Sequence, residues 1–220
     1  MRKDISQFVK KVSLDGYSKI DGFLNYEEVK ELENNTNTAF KKAKKNFYHT
    51  NTNFVKVLSV NEEQSEKIRY FKFLNQFFID TNIKNFVDEY FKSTETEISK
   101  IFLAESSNNG TKVDVLPYKM HFDKTRYLKF MIYLKDVFAG DGGVTFAKAE
   151  WNTKLQKDLL MRESLKEENV VEVNNLDHIE EIMGPAGTAA VFDTNITHKA
   201  GQVLSNNKRL VLRIDTRIKI

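Results

Sequence analysis

The chain has no cysteine among its 220 residues. Disulfide bonds and thiolate metal sites are therefore excluded, and any transition metal has to be held by histidine, carboxylate or water ligands. That set of donor groups favours iron chemistry over a structural zinc site.

The chain also lacks an apolar run of the roughly 20 residues that a membrane-crossing helix needs. Its first residues, Met1-Arg2-Lys3-Asp4, are not followed by the apolar core of a signal peptide. We therefore expect a cytoplasmic protein with no membrane partner.

A strong charge of one sign is missing as well, since 34 basic and 31 acidic residues leave a formal net charge of +3. The one dense basic run, KKAKK at 41–45, is typical of the exposed end of a helix, where cations favour the helix dipole. Binding to nucleic acid would need a broad basic stripe beside groups that read bases. We predict no nucleic-acid partner.

The first part of the chain has the spacing of helices. Apolar residues recur at helical intervals from Tyr26 to about Ala43, with Asn25 as a cap, and two further helices are predicted between about residues 65 and 91. The lysine- and glutamate-rich interval 153–168 predicts an inserted helix. Two interpretations of this insertion stay open: a lid over a pocket, or a solvated connection.

The later part of the chain has the pattern of short strands separated by glycine- and asparagine-rich turns. The predicted strands are 98–104, 113–123, 128–135, 144–147, 188–192 and 210–218. Strands that follow helices in this way indicate an α+β fold in one domain spanning residues 1–220. If the strands close into two facing sheets, they form a barrel whose interior can hold a small ligand.

Three residues in the strand-rich part have the chemistry of an iron site: His121, Asp123 and His198. Two histidines and one carboxylate can occupy one face of an octahedral Fe(II) ion and leave three positions open. On a strand, the i, i+2 spacing of His121 and Asp123 points both side chains to the same side, and a distant strand can bring His198 opposite them.

Arg209 follows His198 after ten intervening residues, and its planar guanidinium is suited to binding a carboxylate through two hydrogen bonds. A dicarboxylic co-substrate fits this arrangement. Arg213 and Arg217 share the strand parity of Arg209 and compete with it for that role.

The segments around these residues resemble the phytanoyl-CoA dioxygenase-like family of Fe(II)- and 2-oxoglutarate-dependent oxygenases. The resemblance rests on LKFMIYLKDV at 128–137, GDGG at 140–143, GPAGTAAVFD at 184–193, THKAG at 197–201 and, near the start, DGYSKIDGFL at 15–24. It implies a double-stranded β-helix, the jelly-roll or cupin-like fold, with packing helices that come mainly from the N-terminal part.

The resemblance also implies a mechanism. His121, Asp123 and His198 would bind Fe(II), and the family's spacing selects Arg209, with Arg213 in reserve, to bind the co-substrate 2-oxoglutarate; Tyr133 would line its pocket. With O2 as second co-substrate, the enzyme would hydroxylate an unactivated C–H bond and release succinate and CO2. Asp123 argues against halogenation, because halogenating relatives have a small residue at that position.

The substrate is less well defined by the sequence. Lys124 and Arg126 follow the iron motif and, with Arg213, are candidates to bind a small, polar and preferably acidic metabolite, although exposed loop cations are the commoner case. A catalytically inactive jelly-roll module that binds metal or ligand is the main alternative. A cupin-type isomerase is another, but such sites usually have more histidine ligands. Dependence on 2-oxoglutarate separates the oxygenase from both alternatives, since an isomerase needs none and a binding module consumes none. The sequence does not predict an oligomeric state.

Overall fold

The computed structural model of the chain describes residues 5–44, 48–60, 83–111, 113, 117–123, 125–151 and 176–219. The helices in these residues are α1 (Ser6–Asp15), α2 (Tyr26–Lys42) and α3 (Ile83–Phe91), with a 3-10 turn at Leu176–His178. The strands are β1 (Tyr17–Ile20), β2 (Tyr48–Asn51), β3 (Val55–Val60), β4 (Thr96–Ser106), β5 (Leu128–Tyr133), β6 (Thr145–Ala147), β7 (Ile179–Glu181), β8 (Ala189–Asp193), β9 (His198–Lys199) and β10 (Arg209–Ile218).

Seven of these strands form one antiparallel sheet in the order β1-β8-β5-β10-β4-β3-β2. The long strand β10 pairs with β5 on one side and with β4 on the other. Alternate residues of β10 point to opposite faces of the sheet. Val211 packs into the core on one face, so Arg209 and Arg213 lie on that same face.

The three helices cover the other face of the large sheet. α2 begins with a capping box, in which the Asn25 side chain accepts the Glu28 N–H at 3.0 Å and the Glu28 carboxylate accepts the Asn25 N–H at 2.7 Å. Apolar side chains of all three helices share one core with the strands, and Phe86 of α3 meets Phe130 of β5 edge-on at 5.4 Å. Each fully buried aliphatic or aromatic side chain in it contributes roughly 1.5–3 kcal/mol.

A second, three-stranded sheet in the order β7-β6-β9 faces the uncovered side of the large sheet. Tyr17 of β1 stacks on Phe146 of β6 with ring centroids 4.5 Å apart. The Tyr133 hydroxyl donates to the Ile182 carbonyl at 2.8 Å and accepts the Val144 N–H at 3.1 Å. Two facing sheets with a shared core make the double-stranded β-helix, so the predicted α+β fold and its N-terminal helices are confirmed. The space between the sheets is the barrel interior.

The strand predicted over residues 113–123 is wrong in its described part. Only His121 pairs there, as an isolated antiparallel bridge with His198. The chain turns at Asp193–Ile196, where the Ile196 N–H donates to the Asp193 carbonyl at 3.2 Å, and this turn interrupts the ladder.

Several other elements differ from expectation. Helix α1 and strands β2, β3, β7 and β9 carried no prediction, because they are short or lack a clean apolar alternation. α3 agrees with the second of the two helices expected between residues 65 and 91. The first of them, like the insertion at 153–168, falls outside the described residues. Within the described part of the chain, no helix is long and apolar enough to cross a membrane.

Candidate metal centre

The histidine and carboxylate side chains of the sequence motif come together at the edge of the small sheet. His121, Asp123 and His198 each offer a ligand atom, and these atoms lie within 4.8 Å of one another. Reciprocal backbone hydrogen bonds of 2.8 and 2.7 Å join the two histidines, and the Asp123 N–H donates to the Thr194 carbonyl at 2.9 Å. The backbone pairing, and not a regular strand, therefore positions the three residues, called the triad below.

Both imidazoles have their Nδ1 atoms held by backbone carbonyls. His121 Nδ1 lies 2.7 Å from the Lys119 carbonyl, and His198 Nδ1 lies 2.8 Å from the Ile196 carbonyl. A carbonyl can only accept, so each Nδ1 carries the proton and each neutral ring keeps its lone pair on Nε2. The same arrangement orients histidines in known metal sites. Both Nε2 atoms are thus available as ligands.

Burial keeps these histidines neutral. His121 and His198 are only 9% and 4% exposed. Burial lowers the pKa of the His121 imidazole, and burial together with the nearby Lys129 charge lowers the pKa of His198 from 6.5 to about 3. Because a metal binds the deprotonated ring, the triad is ready to bind at neutral and mildly acidic pH.

Asp123 has a buried lysine as partner. Lys129 of β5 is 6% exposed, and its Nζ lies 2.5 Å from Asp123 Oδ2, while Oδ1 lies 3.7 Å from His121 Nε2. Burial would raise the pKa of the Asp123 carboxyl, but the Lys129 charge outweighs it and holds that pKa below its usual value. Asp123 is therefore ionised, with one oxygen bound to Lys129 and the other directed towards the histidines.

Arg209 is a buried cation whose described contacts are neutral. Its Nη1 donates to the Gly201 carbonyl at 2.9 Å, and its Nη2 contacts the Ser106 hydroxyl at 3.4 Å. Its Nε has no hydrogen-bond partner among the residues that the structure describes. Burial lowers the pKa of the guanidinium. The nearby Glu181 charge opposes this effect, but no carboxylate among the described residues bonds the guanidinium, so this side chain has capacity for a carboxylate.

Glycines place the carbonyl that Arg209 binds. The GDGG loop packs directly on Gly201, so that a Cβ at Gly201 would overlap the Gly143 carbonyl, and Gly142 has a φ of +78°. Asp141 joins the two segments by accepting the Ser205 hydroxyl at 2.5 Å. The GDGG loop and Gly201 can therefore pack this closely only because glycine has no side chain.

The remaining candidates lie in different surroundings. Tyr133 is fully buried, burial raises the pKa of its hydroxyl to about 12, and that hydroxyl is bonded to the backbone. Arg213 faces the barrel interior and pairs with Asp215. Arg126 lies on the helix-covered side, bonded to Asp193 at 2.7 Å, and the structure does not bring it to the triad. Lys124 falls outside the described residues.

Sequence reasoning missed Lys129 and Asp215, which are 6% and 1% exposed. A signal was present for Lys129, which is the single charged residue of the strand LKFMIY, because such residues are rarely buried without a partner. Asp215 shares its strand with three arginines, so its burial has no comparable signal in the sequence. In the strand pairing Lys129 lies opposite Asp215, so the interior beside the triad contains a charged group of four residues: Asp123, Lys129, Asp215 and Arg213.

No protein-family model matches the chain, and no curated protein matches it. Solved structures do. The epimerase SnoN, in complex with Fe3+, alpha-ketoglutarate and nogalamycin RO, is 14% identical over 96% of this chain and 82% of its own, with a TM-score of 0.71.

Two other solved structures are similar over nearly the whole chain. The non-heme alpha-ketoglutarate-dependent carbocyclase SnoK is 15% identical over 98% of this chain and 84% of its own, with a TM-score of 0.68. EctD from S. alaskensis, with bound Fe, is 11% identical over 99% of this chain and 79% of its own, with a TM-score of 0.66. At these identities the likeness shows that the chain has their fold.

Proposed function

We propose that the protein is an Fe(II)- and 2-oxoglutarate-dependent oxygenase that hydroxylates a C–H bond of a small, polar metabolite. One observation carries the proposal: a His-Asp-His triad and a buried arginine with an unpartnered Nε belong to one barrel interior. The bound Fe3+ and alpha-ketoglutarate of the similarly folded SnoN support it.

The triad fits iron by its donor set. Two imidazole nitrogens and one carboxylate oxygen are the ligands of the facial sites that hold non-haem Fe(II) and leave positions open for other groups. His121 and His198 would each bind through Nε2, because Nδ1 is bonded to a carbonyl. Asp123 would bind through Oδ1, because Lys129 holds Oδ2.

Arg209 fits the distal carboxylate of 2-oxoglutarate. Its unpartnered Nε and the long contact from Nη2 leave donors that a carboxylate can accept. The Gly201 carbonyl fixes the guanidinium through Nη1. Tyr133 would support this pocket by packing, because its hydroxyl is already bonded on both sides.

Bound iron and 2-oxoglutarate would supply the oxidation, using O2 to oxidise the substrate while succinate and CO2 are released. The protein would bind and orient the reactants and exclude water. Phe192, whose ring centroid lies 4.9 Å from that of His198, contributes to the apolar wall beside the triad. Lys129 keeps Asp123 ionised and directed at the metal position.

Hydroxylation is the specific reaction that we propose. The fold also occurs in an epimerase and a carbocyclase, so the reaction has to be identified from the product. Asp123 supports hydroxylation over halogenation, because a carboxylate in the triad occupies the position that a halide would need.

Anaerobic titration of the metal-free protein with Fe(II) and then with 2-oxoglutarate tests the cofactors. The wild type should develop a visible metal-to-ligand charge-transfer band. His198→Ala should lose it, and Arg209→Ala should need much more 2-oxoglutarate. Arg217→Gln should match the wild type, since Arg217 pairs with Glu97 and not with a residue of the triad.

The outcomes separate the candidate functions. Iron binding without the band would favour another kind of metal site, and binding of neither ligand would favour the inactive jelly-roll module. With the band present, succinate release identifies substrates, and a product heavier by one oxygen atom identifies hydroxylation. A product of unchanged composition would refute hydroxylation while leaving the cofactors in place.

A further inference from the structure

We propose that the substrate is a small organic acid, and that Arg213 binds its carboxylate at the side of the barrel interior next to the triad. The inference rests on the proposed function, because it takes Arg209 to be occupied by the co-substrate. It goes further by naming the chemical class of the substrate and the residue that selects it.

Arg213 is held rigidly on the interior face of β10. Its Nε and Nη2 donate to the two oxygens of Asp215 at 2.7 and 2.5 Å, and its guanidinium carbon lies 4.6 Å from the centre of the Phe102 ring. Asp215 itself is 1% exposed. A guanidinium fixed by a buried carboxylate and an aromatic face loses little conformational freedom when it binds a ligand.

One edge of this guanidinium is open. The Arg213 side chain is 33% exposed, and the described residues provide no acceptor for its Nη1. Nη1 and the outer hydrogen of Nη2 form a planar pair of donors, which matches the two oxygens of a carboxylate. Arg209, four residues earlier on the same face, is 5% exposed and so lies deeper.

The charged group beside the triad is balanced within itself. Lys129 bonds Asp123 and lies opposite Asp215 in the strand pairing, and Arg213 bonds Asp215. Asp215 therefore fixes the guanidinium of Arg213 without occupying its open edge, and a substrate carboxylate would be the acceptor for that edge.

An aromatic surface continues outwards from Arg213. The Phe102 ring contacts Arg213 and also the His49 ring, with centroids of the two rings 5.7 Å apart. His49 belongs to β2, which together with β3 extends the large sheet beyond β4. The rings of Phe102 and His49 therefore offer a flat surface on which the carbon skeleton of an acid could pack while Arg213 binds its carboxylate.

Calorimetric titration under anaerobic conditions tests the inference with named probes. Acetate, butyrate, hexanoate and benzoate are titrated into protein loaded with Fe(II) and excess 2-oxoglutarate, and the corresponding primary amides are the neutral comparison. We expect at least one acid to bind saturably, its amide to bind at least tenfold more weakly, and Arg213→Gln to weaken the acid at least tenfold. Arg217→Gln should leave binding unchanged.

A second variant covers the case in which Arg213→Gln does not fold. Arg213→Lys keeps the charge beside Asp215 but loses the planar pair of donors, and it should bind the acid several-fold more weakly than the wild type. Binding of none of the acids, or equal binding to wild type and to the folded Arg213 variants, would overturn the assignment.

The charge-transfer band separates this inference from the proposed function. If the band never forms, the proposed function fails and the inference about Arg213, which rests on it, is overturned with it; if the band forms and no acid binds, only the inference fails. If it forms and then disappears as an acid is added, the acid is displacing 2-oxoglutarate from Arg209, which also overturns the role of Arg213. A band that persists while the acid binds supports both.

Discussion

Arg209→Met should make the metal-free protein more stable and abolish its response to 2-oxoglutarate. Arg209 is 5% exposed, and in the described part of the chain its Nε has no hydrogen-bond partner. Its other described contacts are the neutral Gly201 carbonyl and Ser106 hydroxyl. A folded state that buries a charge for a ligand is destabilised while the ligand is absent. Met fills much of the same volume without the charge.

The magnitude follows from the contacts. An unsatisfied buried donor costs about 1–3 kcal/mol, and a buried charge that no carboxylate bonds costs up to several kcal/mol more, reduced here by the nearby Glu181 charge. Against this, the variant loses the hydrogen bond to the Gly201 carbonyl, and a hydrogen bond from a charged donor contributes about 1.5–3 kcal/mol. We expect a net gain of about 1–3 kcal/mol in the free energy of unfolding. For a chain of this length each kcal/mol raises the melting temperature by about 2–4 °C.

Urea and thermal unfolding of chelator-treated protein measure the first effect. The second effect is measured with Fe(II) present. 2-Oxoglutarate at a hundred times its dissociation constant should raise the free energy of unfolding of the wild type by about 2.7 kcal/mol and should leave that of the variant unchanged. Arg217→Met is the control and should change stability by about 0.5 kcal/mol or less. If Arg209→Met is instead destabilised by more than 1 kcal/mol, Arg209 is a structural residue and the reasoning fails.

Three further predictions concern the triad and its supports. His198→Gln should weaken Fe(II) binding at least about a hundredfold in equilibrium dialysis, because a ligand matters at least as much as its outer-shell partners; unchanged affinity would remove His198 from the site. Burial and the Lys129 charge lower the pKa of His198 from 6.5 to about 3 on folding, so only the unfolded chain takes up this proton. Acidifying from pH 7.5 to 5.5 should therefore cost roughly 1 kcal/mol of metal-free stability. An equal loss in His198→Gln, measured by urea unfolding, would contradict this origin. Gly201→Ala should displace the carbonyl to which Arg209 donates. The affinity for 2-oxoglutarate, measured by the charge-transfer titration, should fall about tenfold, as expected for one lost hydrogen bond, while the affinity for Fe(II) stays within about twofold.

The triad and the α+β fold could be predicted because they depend on residue type and spacing. His121 and Asp123 lie two apart, and the short strands after the helices indicate two facing sheets. The predicted reason for their placement was wrong, however. His121 reaches His198 through an isolated backbone bridge beside a turn, and the turn depends on tertiary hydrogen bonds that no periodicity records.

The charged group beside the triad shows why other parts could not be predicted. Lys129 looks out of place in the strand LKFMIY, and this indicates that it has a partner. Which carboxylate it meets depends on strand register and on the path of the chain after His121. A shift of one residue in the pairing of β5 with β10 would turn Lys129 away from Asp215 and out of the interior.

Arg209 and Arg213 show the same limit within a single strand. Strand parity places both on the interior face, and spacing alone leaves them as competitors for one carboxylate. Their partners separate them: Asp215, two residues beyond Arg213 on the same face, holds that guanidinium, whereas Arg209 has neutral contacts and an unpartnered Nε. An arginine buried without a bonded carboxylate is costly in the free protein, which supports the proposed role of Arg209 in binding the co-substrate. An arginine already held by a carboxylate keeps its position without a ligand, and it is therefore suited to select a substrate.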